Sequence, residues 1–132
     1  MPEVWEGKRY EMYESHNFND YMYELGVGFF TRQIGNAVTP TIILEKNGNK
    51  YKLTTESTFK TSVIEFELGK EFDEITLDDR NVKSVITWEG NKLIHKQGGD
   101  KPTTITREFT PTELVAVMTI GNVVCTRKYR AV

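Results

Sequence analysis

The sequence contains one cysteine, four prolines and two histidines in 132 residues. A single thiol, Cys125, cannot close an internal disulfide, so burial must hold the chain together. His16 and His95 are too few and too isolated to make a zinc site with Cys125, and neither a metal nor a cofactor is expected. No charge sign dominates: 17 Lys and Arg stand against 19 Asp and Glu, a net charge of −2. Phosphate recognition normally shows as a surplus of Lys and Arg gathered in one stripe, so nucleic acid is not an expected partner. No apolar run approaches the roughly 20 residues that cross a bilayer as a helix. The opening Met1-Pro2-Glu3-Val4-Trp5-Glu6-Gly7 lacks the basic-then-apolar order of a secretion signal, and there is no Asn-x-Ser/Thr acceptor or lipidation motif. A cytoplasmic protein is the expectation.

Catalytic signatures are also missing. There is no Gly-x-Ser-x-Gly, no Gly-x-Gly-x-x-Gly after a strand and no Gly-x-x-x-x-Gly-Lys-Ser/Thr. Gly26-Val27-Gly28 runs on into Phe29-Phe30-Thr31 and follows a helical pattern, which makes it a turn between helices. Asp78-Asp79 are sequence neighbours in a turn and read as solvated turn residues, not as an acid/base pair. No catalytic residue is nominated, and an enzyme is the weaker reading.

With 38% hydrophobic and 27% charged side chains, the chain has the profile of one ordinary globular domain over residues 1–132. A chain of this length buries roughly two thirds of its unfolded surface. Runs rich in Val, Ile, Thr, Tyr and Phe recur at roughly 8–12-residue intervals, separated by turns such as Asn47-Gly48-Asn49, Glu89-Gly90-Asn91 and Gly121-Asn122. Ile64, Phe66 and Leu68 alternate with Glu65 and Glu67, giving one covered and one wet face. Strands joined by tight turns are antiparallel, and closure into an up-and-down barrel removes their exposed edges.

One helical interruption lies at about 16–36. Asn17 is the expected N-cap, with Asp20 three residues on, and Phe18, Tyr21, Met22 and Leu25 fall on one helical face before Gly26. Val27, Phe30, Thr31 and Ile34 repeat the spacing up to Gly35-Asn36, so the segment reads as a helix-turn-helix with an apolar underside. Pattern alone allows either a core-packing pair or a lid. Insertion after the first strand of a closing barrel favours the lid.

The unusual feature lies in the last strands. Alternation places Arg107 on the face of Ile105 and Phe109, and Arg127 on the face of Val123, Cys125 and Tyr129. If those faces point inward, two guanidinium groups and a phenol occupy the interior, where like charges need water and an anionic partner. A carboxylate suits them, because Arg offers a planar fork of donors and Tyr a hydroxyl. The opposite parity would bury Val124, Thr126 and Lys128, a poorer inner face.

These residues resemble the intracellular lipid-binding proteins, the cytosolic fatty-acid-binding and retinoid-binding family, over essentially the whole chain. The resemblance rests on Trp5-Glu6-Gly7-Lys8-Arg9-Tyr10, Ser15-His16-Asn17-Phe18-Asn19-Asp20-Tyr21-Met22, Leu25-Gly26-Val27-Gly28-Phe29 and Glu56-Ser57-Thr58-Phe59-Lys60. Leu68 to Glu74, Asp79 to Ser84 and the ending Val124-Cys125-Thr126-Arg127-Lys128-Tyr129 extend it. It implies an all-β fold, a ten-stranded antiparallel calycin-like barrel capped by the helical lid. It also implies a non-catalytic carrier of one long-chain fatty acid, similar to the heart, adipocyte and myelin branch, with the carboxylate on Arg107, Arg127 and Tyr129. Retinol binders of the family carry Gln at the arginine positions. By the same matching, the pocket and portal are Phe18, Tyr21, Met22, Val27, Phe30, Thr31, Pro40, Thr55, Ser57, Phe59 and Asp78. A retinoic-acid carrier would use the same cations, and a ligand-switched interaction module is a further alternative. Tyr10 in place of the family's usual Trp and the short Gly98-Gly99 turn match some invertebrate members. The lid has Asp20, Tyr23, Glu24 and Gln33 where membrane-colliding members carry lysines, leaving Arg32 as its main cation. That implies mainly diffusional transfer with at most weak, transient membrane contact, at a rate that does not climb steeply with the concentration of acidic vesicles, and a monomer is the expected state.

Overall fold

The structure, a computed structural model, describes residues 3–132. Ten strands and two helices follow in the order β1 (Tyr10–His16), α1 (Phe18–Leu25), α2 (Phe29–Ala37), β2 (Thr41–Asn47), β3 (Lys50–Glu56), β4 (Ser62–Glu67), β5 (Phe72–Ile75), β6 (Asn81–Glu89), β7 (Lys92–Gln97), β8 (Thr103–Phe109), β9 (Glu113–Ile120) and β10 (Val123–Ala131). All pair antiparallel in one sheet, ordered β4-β3-β2-β1-β10-β9-β8-β7-β6-β5. This is the up-and-down barrel expected, closed by the β1–β10 pairing and left unzipped between β4 and β5. Phe66 and Phe72 stack across that gap with centroids 6.1 Å apart, and in the turn between the two strands the backbone amide of Gly69 donates to the Ile86 carbonyl of β6 at 3.0 Å.

Strand alternation decides which residues face in. In β10, Cys125, Arg127 and Tyr129 are buried while Val124 and Arg130 are exposed. The apolar core gathers at the end away from the helices, around Trp5, Tyr10, Leu44, Phe66, Leu93 and Phe109. Tyr10 is fully buried and its hydroxyl donates to the Thr110 carbonyl at 2.9 Å, so a phenol fills this place with its polar tip satisfied. Leu68 departs from the expectation: β4 ends at Glu67, alternation stops with the strand, and Leu68 is exposed in the turn.

The lid is two helices of unequal attachment. A second apolar cluster of Tyr21, Ile120 and Cys125, with Phe18, Leu25 and Met118 against it, seats α1 on β9 and β10. Asn17 does not cap α1 as expected. It sits in the left-handed region at φ 68 with no side-chain cap, and its amide instead donates to the Val124 carbonyl at 2.9 Å, pinning the helix start to β10. Lys101 donates to the Glu24 carbonyl at 3.0 Å at the other end, where a cation meets the negative end of the helix dipole. By contrast α2 buries no residue fully. It runs through Gly35 to Ala37, past the expected stop, and Gly35 is where the helices touch: a Cβ there would lie 2.7 Å from Met22 Sδ.

Candidate ligand-binding site

Between the lid and the apolar core lies a cavity of about 210 Å³. A single buried water needs only about 10–15 Å³ on the same measure, so this space is no packing defect. Phe18, Tyr21 and Met22 reach it from α1, Val27 and Thr31 from the lid turn and α2, and Pro40 from the approach to β2. Thr55, Ser57 and Phe59 enter from β3 and its exit, and Asp78 from the loop after β5. Phe30 is the exception among the residues named from sequence. The cavity face of α2 is Thr31 and Gly35, with Val38 just past its end, which turns Phe30 outward, 80% exposed.

Arg107, Arg127 and Tyr129 all line the cavity. Register explains their meeting. Arg107 and Arg127 both pair with Ala116, from opposite sides of β9, so alternation aims both side chains through the same wall. Arg127 is buried. Its Nε donates to Ser15 Oγ at 3.1 Å, and its guanidinium lies 3.7 Å from the centre of the Phe18 ring, a close cation–π contact. Burial pushes the Tyr129 phenol up, against the pull of both guanidiniums. Burial likewise draws Arg107 below its ordinary value, although a guanidinium keeps its proton in proteins.

Sequence reading missed the other half of the polar wall. Glu74 on β5 and His95 and Gln97 on β7 are buried and face the same cavity. Glu74 Oε1 accepts from Ser84 Oγ at 2.7 Å and from His95 Nε2 at 2.7 Å, while Oε2 accepts from Gln97 Nε2 at 3.1 Å. His95 Nδ1 faces Arg107 Nη1 at 3.2 Å. Guanidinium can only donate, so Nδ1 must accept and the imidazole proton must sit on Nε2. Burial lowers the His95 pKa, which agrees with this neutral tautomer. Burial alone would raise Glu74, but the His95 and Ser84 hydrogen bonds and the Arg107 charge outweigh it, and the carboxyl lies below its ordinary value. A polar row therefore crosses the cavity: carboxylate, neutral imidazole, guanidinium, phenol, guanidinium. The available signal was parity, since Glu74 shares a face with Phe72 and His95 with Leu93.

A separate pair guards the mouth. Asp78 is not a solvated turn residue as expected: its carboxylate accepts from Arg80 Nε at 2.6 Å and from Thr76 Oγ1 at 2.6 Å, and it lines the cavity. Asp79 does match the turn reading. It is exposed, adopts φ 65 and pairs with Lys60 at 2.9 Å. Asp78 and Arg80 cancel, as do Asp79 and Lys60. Deeper in, two guanidiniums face one carboxylate, leaving one net positive charge against largely apolar walls.

The sequence matches the "Lipocalin / cytosolic fatty-acid binding protein family" over residues 6–132. It is 45% identical to "Fatty acid-binding protein, muscle" of Schistocerca gregaria, across 99% of each chain. A fatty acid-binding protein from brain tissue of Drosophila melanogaster superposes with a TM-score of 0.92 at 59% identity, covering 96% of this chain and 98% of that one. A Schistosoma mansoni fatty acid binding protein in complex with arachidonic acid gives 0.94 at 41% identity, covering 98% and 96%.

Proposed function

The chain belongs to the lipocalin and cytosolic fatty-acid binding protein family, and from this we propose that it is a non-catalytic intracellular carrier that takes one long-chain fatty acid into its barrel. The carboxylate sits between Arg127, Tyr129 and Arg107, and the acyl chain runs along the apolar wall toward Phe59 and the lid. The carrying observation is the single uncompensated positive charge facing an apolar cavity. One monovalent anion neutralises it, and burial of each methylene adds up to about 0.8 kcal/mol before ordering costs. The arachidonic acid complex of the Schistosoma mansoni relative supports this ligand class. No catalytic step is assigned, and the bound lipid is the only non-protein component the reading requires. The protein works as a cytoplasmic monomer that shields its cargo from water, with membrane contact weak and transient.

Arg127→Gln tests the reading. Truncating one partner of a buried charge pair costs about 2–5 kcal/mol, so oleate binding should weaken by at least about 2 kcal/mol while oleyl alcohol, which brings no charge, changes little. Equal losses for acid and alcohol in titration calorimetry would contradict it.

A further inference from the structure

A carrier needs cations for a carboxylate, yet this cavity also buries a carboxylate of its own. Glu74 is 6% exposed and His95 1% exposed, and among the described residues no Lys or Arg side chain bonds to Glu74. Its donors are the Ser84 hydroxyl, the His95 imidazole and the Gln97 amide. An ionised group held only by neutral donors exerts its charge on everything sharing its low-dielectric surroundings. Arg107 stands next in the row, joined to Glu74 through His95. The relay leaves Arg107 half-committed before any ligand arrives, whereas Arg127 is held by neutral groups, the Ser15 hydroxyl, the Phe18 ring and the Tyr129 phenol.

We propose that Glu74, acting through His95 on Arg107, is a specificity-determining residue that sets the charge the cavity accepts at one: a singly charged amphiphile is taken, and a neutral or doubly charged one of equal chain length is disfavoured. This rests on the carboxylate-binding reading above. A neutral ligand leaves the second guanidinium unanswered. A dianion meets one net positive charge and leaves a negative charge buried beside Glu74, which costs heavily where water is scarce. His95 makes the coupling directional, because its fixed tautomer passes the Glu74 field to Arg107 while adding no charge of its own. Phosphate and carboxylate are both good guanidinium ligands, so chain-matched amphiphiles can separate charge from shape.

The test measures dissociation constants of hexadecanol, hexadecanoate and hexadecyl phosphate at pH 8, where a phosphate monoester with a second pKa of about 6 is a dianion. Three variants are compared with the wild type: Glu74→Gln, Gln97→Glu and both together. In Glu74→Gln the row gains one positive charge, and the preference should shift from hexadecanoate toward hexadecyl phosphate by about tenfold or more, as expected for a unit charge at short range in an effective dielectric near 20. In Gln97→Glu two buried carboxylates face each other across the 3.1 Å that separates Gln97 Nε2 from Glu74 Oε2 and share a proton, so the row keeps its charge and the wild-type order should hold. The double variant moves the carboxylate to the neighbouring residue and keeps the pair hydrogen-bonded, so it should return to the wild-type order. A ratio that moves less than twofold in folded Glu74→Gln, or a double variant that fails to restore it, would overturn the inference. A wild type that binds hexadecanol as tightly as hexadecanoate would instead overturn the carboxylate-binding reading itself, so the two failures are distinct.

Discussion

His95 shows how one side chain can be read wrongly when taken alone. As one of two scattered imidazoles it signals nothing, but its two nitrogens join a carboxylate to a guanidinium. Burial lowers its pKa from the ordinary 6.5, so the folded protein keeps it neutral and the unfolded chain protonates it first. Stability present at neutral pH is therefore lost as pH falls from about 6.5 toward the lowered folded-state value. Glu74 acts in the same direction at lower pH, since its stabilisation disappears only as pH falls through a value below the ordinary 4.5. His95→Gln should lose about 1–3 kcal/mol at pH 7.5, the cost of disturbing a buried hydrogen-bonded group, yet show a shallower decline between pH 7 and pH 5. Urea unfolding at three pH values measures both, and parallel pH slopes would count against this role. Arg107, Arg127 and Tyr129 were legible because each shares a strand face with apolar neighbours. Glu74, His95 and Gln97 escaped because β5 and β7 carry several polar residues each, so none stands out from its strand, and the partners lie 21 to 23 residues apart in sequence. Parity marks a face; only register across β5, β6 and β7 shows that the three converge.

Strands and helices differed in how far their patterns carried. Alternation has two phases, and a charged or apolar run chooses between them. A nine-residue helix with Phe29, Phe30 and Ile34 offers several apolar arcs, and the contact with Met22 at Gly35 selects the one without Phe30. The lid's two halves should respond unequally to mutation. Thr103 Oγ1 donates to the Thr119 carbonyl at 2.7 Å, so the Tyr21 hydroxyl is the donor in its 2.7 Å bond to Thr103. Tyr21→Phe should cost about 1 kcal/mol, whereas Phe30→Ser, at an exposed site, should stay within about 0.5 kcal/mol. Denaturant midpoints compare them directly. A larger loss from Phe30→Ser would mean that α2, not α1, secures the cap.

At the scale of the molecule, the barrel divides its interior into a packed apolar end and an open end whose polar groups sum to one positive charge. Composition could not reveal this division, because a net charge of −2 says nothing of which charges lie inside. It also misleads about packing, since part of the expected core is cavity. The mouth has cations of its own in Lys60 and Arg80, each already paired with an aspartate, so two head-group positions compete in principle: the deep arginines or the portal. A crystal structure of the oleate complex decides between them. The carboxylate should lie within hydrogen-bond distance of Arg127 and Tyr129, with the chain's methyl end toward Phe59. A carboxylate found at Lys60 and Arg80, with the methyl end buried beneath the lid, would contradict the deep head-group site.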